Sequence, residues 1–282
     1  MKYRRTTIAT LLTATVISSL SGCTSTDSSS SPASGCTPEW TFPTIHHGAL
    51  TVATVDSLPY VEVEPGSNEA KGIDSDLLTN FAKRACLKVD FKSLGGPAAV
   101  AAMTQGTADV AAGGWYSTPE RGKKIGQTDP VWYDYNAIAS KEKLSTIDAL
   151  KGKTVGVVAG SLYVQPLAAV IGDAKVKQYQ TMDAVLRDIS AGRLDAGLGT
   201  SSELGYQVHQ RADSGITVTP VPEDAHYTTL TQRGMVNFPY TKSNSKLGDA
   251  LQNFIAATRK DGTVAGVLTK YGITNPKNIT GS

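Results

Sequence analysis

A pattern that occurs twice does most to limit what this chain can fold into. Residues 106–113 read Gly-Thr-Ala-Asp-Val-Ala-Ala-Gly and residues 192–199 read Gly-Arg-Leu-Asp-Ala-Gly-Leu-Gly. Both hold a glycine, an aspartate three positions on and a glycine seven positions on. Physically, each spells a helix end, a turn into a short apolar strand, and a glycine where the strand releases the chain. A repeat of this kind in an alternating strand and helix pattern predicts two similar units.

The flanking periodicity agrees. Residues 50–54 predict a strand, and Leu77, Leu78, Phe81, Ala82 and Ala85 share one face of a helix that Asp74 or Ser75 can cap. A strand at 87–91, a small-residue helix opened by Pro97 and ended by Gly106, and a strand at 108–112 complete one βαβαβ unit. The second unit has strands at 154–158, 176–179 and 195–198, with a helix over 182–191. The fold class is therefore α/β with largely parallel sheets. Helices over 247–259 and 264–271 follow with no third sheet to cover, so they are expected to return to the first unit. The chain then crosses twice, near 136–140 and near 235–238, which makes a hinge with a cleft between lobes.

One strand end carries most of the candidate chemistry. After the strand at 109–112 come Gly113, Gly114, Trp115, Tyr116, Ser117, Thr118 and Pro119, then Arg121. Ligands in open α/β sheets bind at the carboxyl ends of strands. Pro119 suits the first turn of a helix. The Arg121 guanidinium suits a carboxylate or phosphate held by two parallel hydrogen bonds. The alternative is a surface pair of Arg121 with Glu120 or Asp129.

The first residues read as a processing segment. Lys2, Arg4 and Arg5 precede an apolar run too short and too rich in Ser and Thr to span a bilayer comfortably, and Leu20-Ser21-Gly22-Cys23 resembles a bacterial lipobox. Cys23 is then the lipidation site; the alternative is a plain secretory signal. Either way the protein is exported. Residues 24–35 are a Ser/Thr-rich tether, so the protein is anchored to a membrane and does not span it. In the oxidising compartment this implies, Cys36 and Cys86 are expected to form a disulfide, with two free thiols as the alternative. Removing the basic segment takes the formal charge from +2 to −1, which offers no electrostatic case for nucleic acid.

Five stretches in this order resemble one family: 72–84 (GIDSDLLTNFAKR), 117–132 (STPERGKKIGQTDPVW), 150–161 (LKGKTVGVVAGS), 191–198 (AGRLDAGL) and 261–273 (DGTVAGVLTKYGI). The chain resembles the type-3, amino-acid-type extracellular solute-binding proteins of ABC importers, in lipoprotein form, over residues 50–272. The resemblance implies a two-lobed, type II periplasmic-binding-protein fold. Each lobe is a mostly parallel sheet flanked by helices, and a two-crossing hinge joins them. Lobe one is 44–138 plus 232–282, lobe two is 139–231, residues 1–22 are the signal and 23–43 the anchor and tether.

The same resemblance implies site roles. Arg121 matches the arginine that clamps a ligand α-carboxylate. Gly114 and Tyr116 fall where a backbone N–H and a short hydroxyl assist it, with Tyr116 in place of the usual Ser or Thr. Gly160 and Ser161 match a loop at a helix N-terminus in lobe two, where free N–H groups favour anions. Thr200 stands where an aspartate usually takes the α-ammonium, and Gly96 near where an aromatic often stacks. Asp56, ending the first strand, is the candidate substitute carboxylate, and Trp115 the candidate stacking face; a turn residue and a rim aromatic are the alternatives.

The expected partners are a small carboxylate-bearing solute, an ABC permease and, through the lipid, a membrane; the protein is expected to be a monomer with no cofactor and no metal. An enzyme of the same fold acting on small carboxylic acids is the first rival and a ligand-sensing module the second. No histidine among His46, His47, His209 and His226 falls at an expected cleft position, and no Ser-His-Asp or Cys-His set is legible.

Overall fold

The computed structural model describes residues 35–211 and 214–281. The signal segment, Cys23 and nearly all of the tether lie outside the described residues.

The chain enters the first lobe through β1 (Ala49–Val55), whose central five residues are buried. Burial on both faces is what a parallel strand covered by helices requires. A small hairpin of β2 (Glu62–Val63) and β3 (Ala70–Lys71) leads to α1 (Ile73–Arg84). Gly72, not a side chain, caps this helix; Ser75 Oγ bonds back to the Gly72 carbonyl and Asp74 points elsewhere. Next come β4 (Lys88–Leu94), α2 (Gly96–Gln105), which Gly106 ends in the left-handed region, and β5 (Val110–Ala112). β1 pairs in parallel with β4 on one side and β5 on the other, so the first predicted unit is present in full. α3 (Pro119–Lys124) follows, and β6 (Trp132–Asp134) leaves the lobe.

The second lobe contains β7 (Asn136–Ser140), β8 (Val155–Val158), α4 (Val164–Ile171), β9 (Val176–Tyr179), α5 (Met182–Ser190), β10 (Ala196–Thr200), α6 (Ser201–His209), β11 (Thr217–Pro220) and α7 (Thr228–Thr231). Its sheet order is β11-β7-β10-β8-β9. β8 pairs in parallel with β9 and β10, while β7 runs antiparallel to β10 and β11. The parallel part is the predicted repeat; the antiparallel part is built by the segments entering and leaving it.

The return strand β12 (Gly234–Val236) pairs antiparallel with β6, placing Gly234 opposite Asp134 and Val236 opposite Trp132. This ribbon is the double connection between lobes. Residues 136–140, expected at the crossing, instead form β7 inside the second sheet: five consecutive buried residues find their covering only there. The chain ends in α8 (Ser245–Lys260), α9 (Thr263–Lys270) and α10 (Lys277–Thr280). Leu247, Leu251, Phe254 and Val264 share one core with Leu50, Leu77, Phe81 and Trp132, so these helices do pack on the first lobe.

Cys36 and Cys86 are joined, with Cα atoms 5.9 Å apart. The bridge fixes an N-terminal strap against α1. There Trp40 and Phe42 stack on Phe81 at 5.7 and 5.6 Å, and Glu39 forms a two-point pair with Arg84. Among the described residues no helix is long and apolar enough to cross a membrane, and no cluster of His, Cys, Asp or Glu is placed to hold a metal.

Candidate ligand-binding site

The cleft between the lobes encloses about 130 Å³. Its first-lobe wall is Val55, Ser57, Tyr60, Gly96 and the run from Gly113 to Tyr116 with Arg121; its second-lobe wall includes Gly160, Ser161, Tyr163, Thr200 and Glu203. Of the eight residues named from the sequence, six line this cavity from the loops: Gly114, Trp115, Tyr116, Gly160, Ser161 and Thr200. Arg121 is the seventh.

Arg121 is held by its own short helix. Thr118 caps α3 by accepting the Arg121 backbone N–H at 3.2 Å, and Gln127 fixes Thr118 through two bonds of 2.8 Å. The guanidinium lies 4.7 Å over the Trp115 ring and donates from Nη1 to the Tyr116 carbonyl at 2.8 Å. It has no carboxylate partner among the described residues, so the pairing with Glu120 or Asp129 does not form. Burial draws it down to about 10, still cationic at neutral pH. A guanidinium so anchored, half-buried at the cleft and without a carboxylate partner among the described residues, has the chemistry to hold an anion through two parallel hydrogen bonds. Trp115 is thus the platform for Arg121, with its indole N–H donating to the Ala112 carbonyl at 3.2 Å; one ring face is already occupied.

The glycine pair is used differently from expectation. The Gly113 and Gly114 N–H groups both donate to Asp74 Oδ2, at 2.8 and 2.9 Å. The Gly114 N–H is therefore not aimed at a ligand. Asp74 is buried and desolvation pushes it up to about 6, against the pull of those two donors. Gly114 sits at φ 65°, and an added Cβ there would meet the Tyr60 ring at 2.8 Å. Only glycine lets the strand end pass so close under Tyr60. Tyr116 is buried against Gly234 and forms a wall; its hydroxyl lies beside that of Tyr163, which donates to Asn136 Oδ1 at 2.7 Å.

Asp56 does not enter the cleft. Its carboxylate accepts from Thr54 Oγ1 at 2.6 Å, Ser93 Oγ at 2.8 Å and the Val63 N–H at 3.4 Å, all within the first lobe. Those donors explain why: the strand end and its neighbour β4 supply hydroxyls that turn the side chain sideways into the sheet edge.

The buried carboxylate of the cleft is instead Glu203, in the first turn of α6. Its Oε1 accepts a short hydrogen bond from Ser57 across the cleft. Burial raises it to about 7, and the nearby Asp134 adds to that rise. Thr200 is the N-cap of the same helix, accepting the Glu203 N–H at 3.1 Å, and its hydroxyl is in short contact with the Tyr60 hydroxyl. Tyr60 also donates to Asp134 Oδ2 at 2.7 Å. Neither Tyr60 nor Glu203 was singled out from sequence. In the second-lobe loop, Gly160 lies at φ 75° with its Cα face against Pro97 of the first lobe. The Ser161 N–H closes a turn onto the Val158 carbonyl at 3.1 Å, whereas Ser161 Oγ is buried without a hydrogen-bond partner among the described residues. The contacts Ser57–Glu203, Tyr60–Thr200 and Gly160–Pro97 bring the two lobes together around the cavity.

Known proteins place this architecture. A family model for bacterial extracellular solute-binding proteins, family 3, matches residues 50–274. The chain is 27% identical over 278 residues to the probable amino-acid-binding protein YxeM of Bacillus subtilis strain 168, covering 96% of each. It is 24% identical over 215 residues to ABC transporter arginine-binding protein 1 of Escherichia coli K12, covering 76% of this chain and 86% of that one. Among solved structures, an ancestral arginine-binding protein bound to glutamine superposes with a TM-score of 0.69 at 27% identity, covering 80% of this chain and 98% of that one. Family match, relatives of near-equal length and a two-lobed fold agree: the chain belongs to the family 3 bacterial extracellular solute-binding proteins.

Proposed function

We propose that this protein captures an amino acid in the cleft between its lobes and hands it to the permease of an ABC importer. Arg121 is the observation that carries the reading. It is a half-buried guanidinium without a carboxylate partner among the described residues, on a rigid Trp115 platform in the cleft wall, suited to an α-carboxylate. The amino-acid-binding relatives support the ligand class, and the family supports export and transport. In this reading Tyr60, Tyr116 and Tyr163 wall the ligand, Ser161 Oγ adds a donor from the second lobe, and closure over the ligand presents the surface that the permease engages.

The lipobox-like Leu20-Ser21-Gly22-Cys23 supports anchoring to the outer face of the cytoplasmic membrane through a lipid on Cys23, and in this reading the protein works as a monomer on a Ser/Thr-rich tether. In this reading the first crossing between lobes lies before β7, which pairs wholly within the second sheet, so that lobe two begins with β7 and not at residue 139. Arg121→Ala is the test: the protein remains folded and loses amino-acid binding by on the order of a hundredfold or more, as for removal of one partner of a buried charge pair. Undiminished binding would remove the carboxylate clamp.

A further inference from the structure

Thr200 stands in the cleft at the point where a carboxylate for an ammonium group is expected from the resemblance, and it is not free to act. Its Oγ1 accepts the Glu203 N–H at 3.1 Å and is in short contact with the Tyr60 hydroxyl. One helical turn further along, Glu203 lines the same cavity as Arg121, from the opposite lobe. We propose that Glu203 is the receptor for the ligand's ammonium group, held in position by Ser57, so that the ligand lies between Arg121 and Glu203. The inference rests on the reading of the cleft as an amino-acid site.

Four observations carry it. Glu203 is only 7% exposed, yet it forms no ion pair among the described residues. A buried carboxylate without a cation is costly unless something compensates it. Second, Asp134, fully buried beneath Tyr60, is in the same position. It accepts from Tyr60, Ser201, Ser202 and the Tyr135 N–H, all neutral donors. Two buried carboxyl groups with no ion-pair partner among the described residues leave, when ionised, a negative charge that a cationic guest at the cleft would offset. Third, Ser57 occupies only Oε1, and Oε2 receives no hydrogen bond among the described residues.

Finally, Thr200-Ser201-Ser202-Glu203 spells a capping box, in which the glutamate normally folds back on the N-cap N–H. Here the threonine half forms and the glutamate turns away across the cleft to Ser57. The side chain has left its helix for the ligand cavity.

The test is calorimetric titration with the twenty common L-amino acids, each paired with its amine-free carboxylic acid, for the wild type, Glu203→Gln and Arg121→Ala. The wild type is expected to take an amino acid and to reject the amine-free partner. Glu203→Gln is expected to lower amino-acid affinity by on the order of a hundredfold and to erase that discrimination. If Glu203→Gln binds the amino acid like the wild type while Arg121→Ala does not, Glu203 is not the ammonium receptor and the cleft assignment stands. If neither substitution matters, or no amino acid binds, the cleft assignment falls and this inference with it.

Should Glu203→Gln fail to fold, the wild-type pH profile decides. Tyr60 and Tyr163 face Glu203 from the two walls, Asp134 from the end of β6, and Ser57 and Gln207 are neutral neighbours. Amino-acid affinity is expected to rise from pH 5 to pH 8, approaching tenfold per unit at the acid end, while affinity for the amine-free acid does not rise. A flat amino-acid profile overturns the assignment.

Discussion

The Ser57 hydroxyl, at the carboxyl end of the first strand, donates to Glu203, 146 residues later in the first turn of a second-lobe helix. With Tyr60–Thr200 and Gln207 reaching the Leu58 carbonyl at 3.4 Å, this bond ties the lobes directly across the cavity. Polar side chains that line the cleft thus hold the lobes against one another. Ser57→Ala is therefore expected to favour an open arrangement in ligand-free protein. Small-angle scattering on wild type and variant checks this: the variant shows a larger radius of gyration without ligand.

Arg121→Lys separates charge from geometry. Lysine keeps the cation but lacks the planar fork and the stacking on Trp115. The expected result is a loss of affinity smaller than that of Arg121→Ala, with melting temperature nearly unchanged. Titration calorimetry and a thermal melt on both variants measure it.

The buried carboxyls set a pH dependence whose sign follows from their shifts. Glu203 is raised to about 7 and Asp74 to about 6, above their unfolded values, chiefly by burial. The folded state then holds more protons than the unfolded chain between roughly pH 4 and pH 7. The stability these groups contribute is present at the acid end and lost as pH rises through the folded values. The ligand-free protein is expected to melt at higher temperature near pH 5 than near pH 8. Glu203→Gln flattens the upper part of this profile, since the amide does not titrate in this range. A wild-type melting temperature that climbs steadily from pH 5 to pH 8 would contradict the assignment.

The disulfide spans a separation of 50 residues, and it holds the aromatic strap on α1. Closing a loop of that length stabilises by roughly 4 kcal/mol in the chain-entropy description. Cys36→Ser with Cys86→Ser is expected to lower the melting temperature by several degrees and to leave ligand affinity unchanged, because neither cysteine lines the cleft.

Much of the fold was legible because its signals are local. The glycine–aspartate–glycine repeat marked β5 and β10, Pro97 and Gly106 bounded α2, and the lack of a third sheet sent the C-terminal helices back to the first lobe, where α8 shares a core with α1. The crossing point was misplaced because residues 136–140 are apolar enough for either a connection or a strand, and only pairing with β10 and β11 decides it.

The cavity lining was legible on one strand-end loop, where Arg121 and the run from Gly113 to Tyr116 stand together, but the Gly114 N–H was not, because it is taken by Asp74. Nor was the site legible where a side chain chooses among distant partners. Asp56 was captured by Thr54 and Ser93, and Glu203 was drawn to Ser57; both choices depend on contacts far apart in sequence. The capping-box spelling at Thr200 was the one available signal for Glu203, and it pointed to a local role.

The most direct test of the account is a thermal-shift screen of the purified protein against the twenty common amino acids and their amine-free acids. A cavity of about 150 Å³ holds a molecule the size of benzene, and this cleft encloses about 130 Å³. The expected result is a shift with one or more short amino acids, larger than with arginine, and none with the amine-free acids. At a hundred times the dissociation constant the ligand adds about 2.7 kcal/mol to stability. No shift with any amino acid would contradict the central claim.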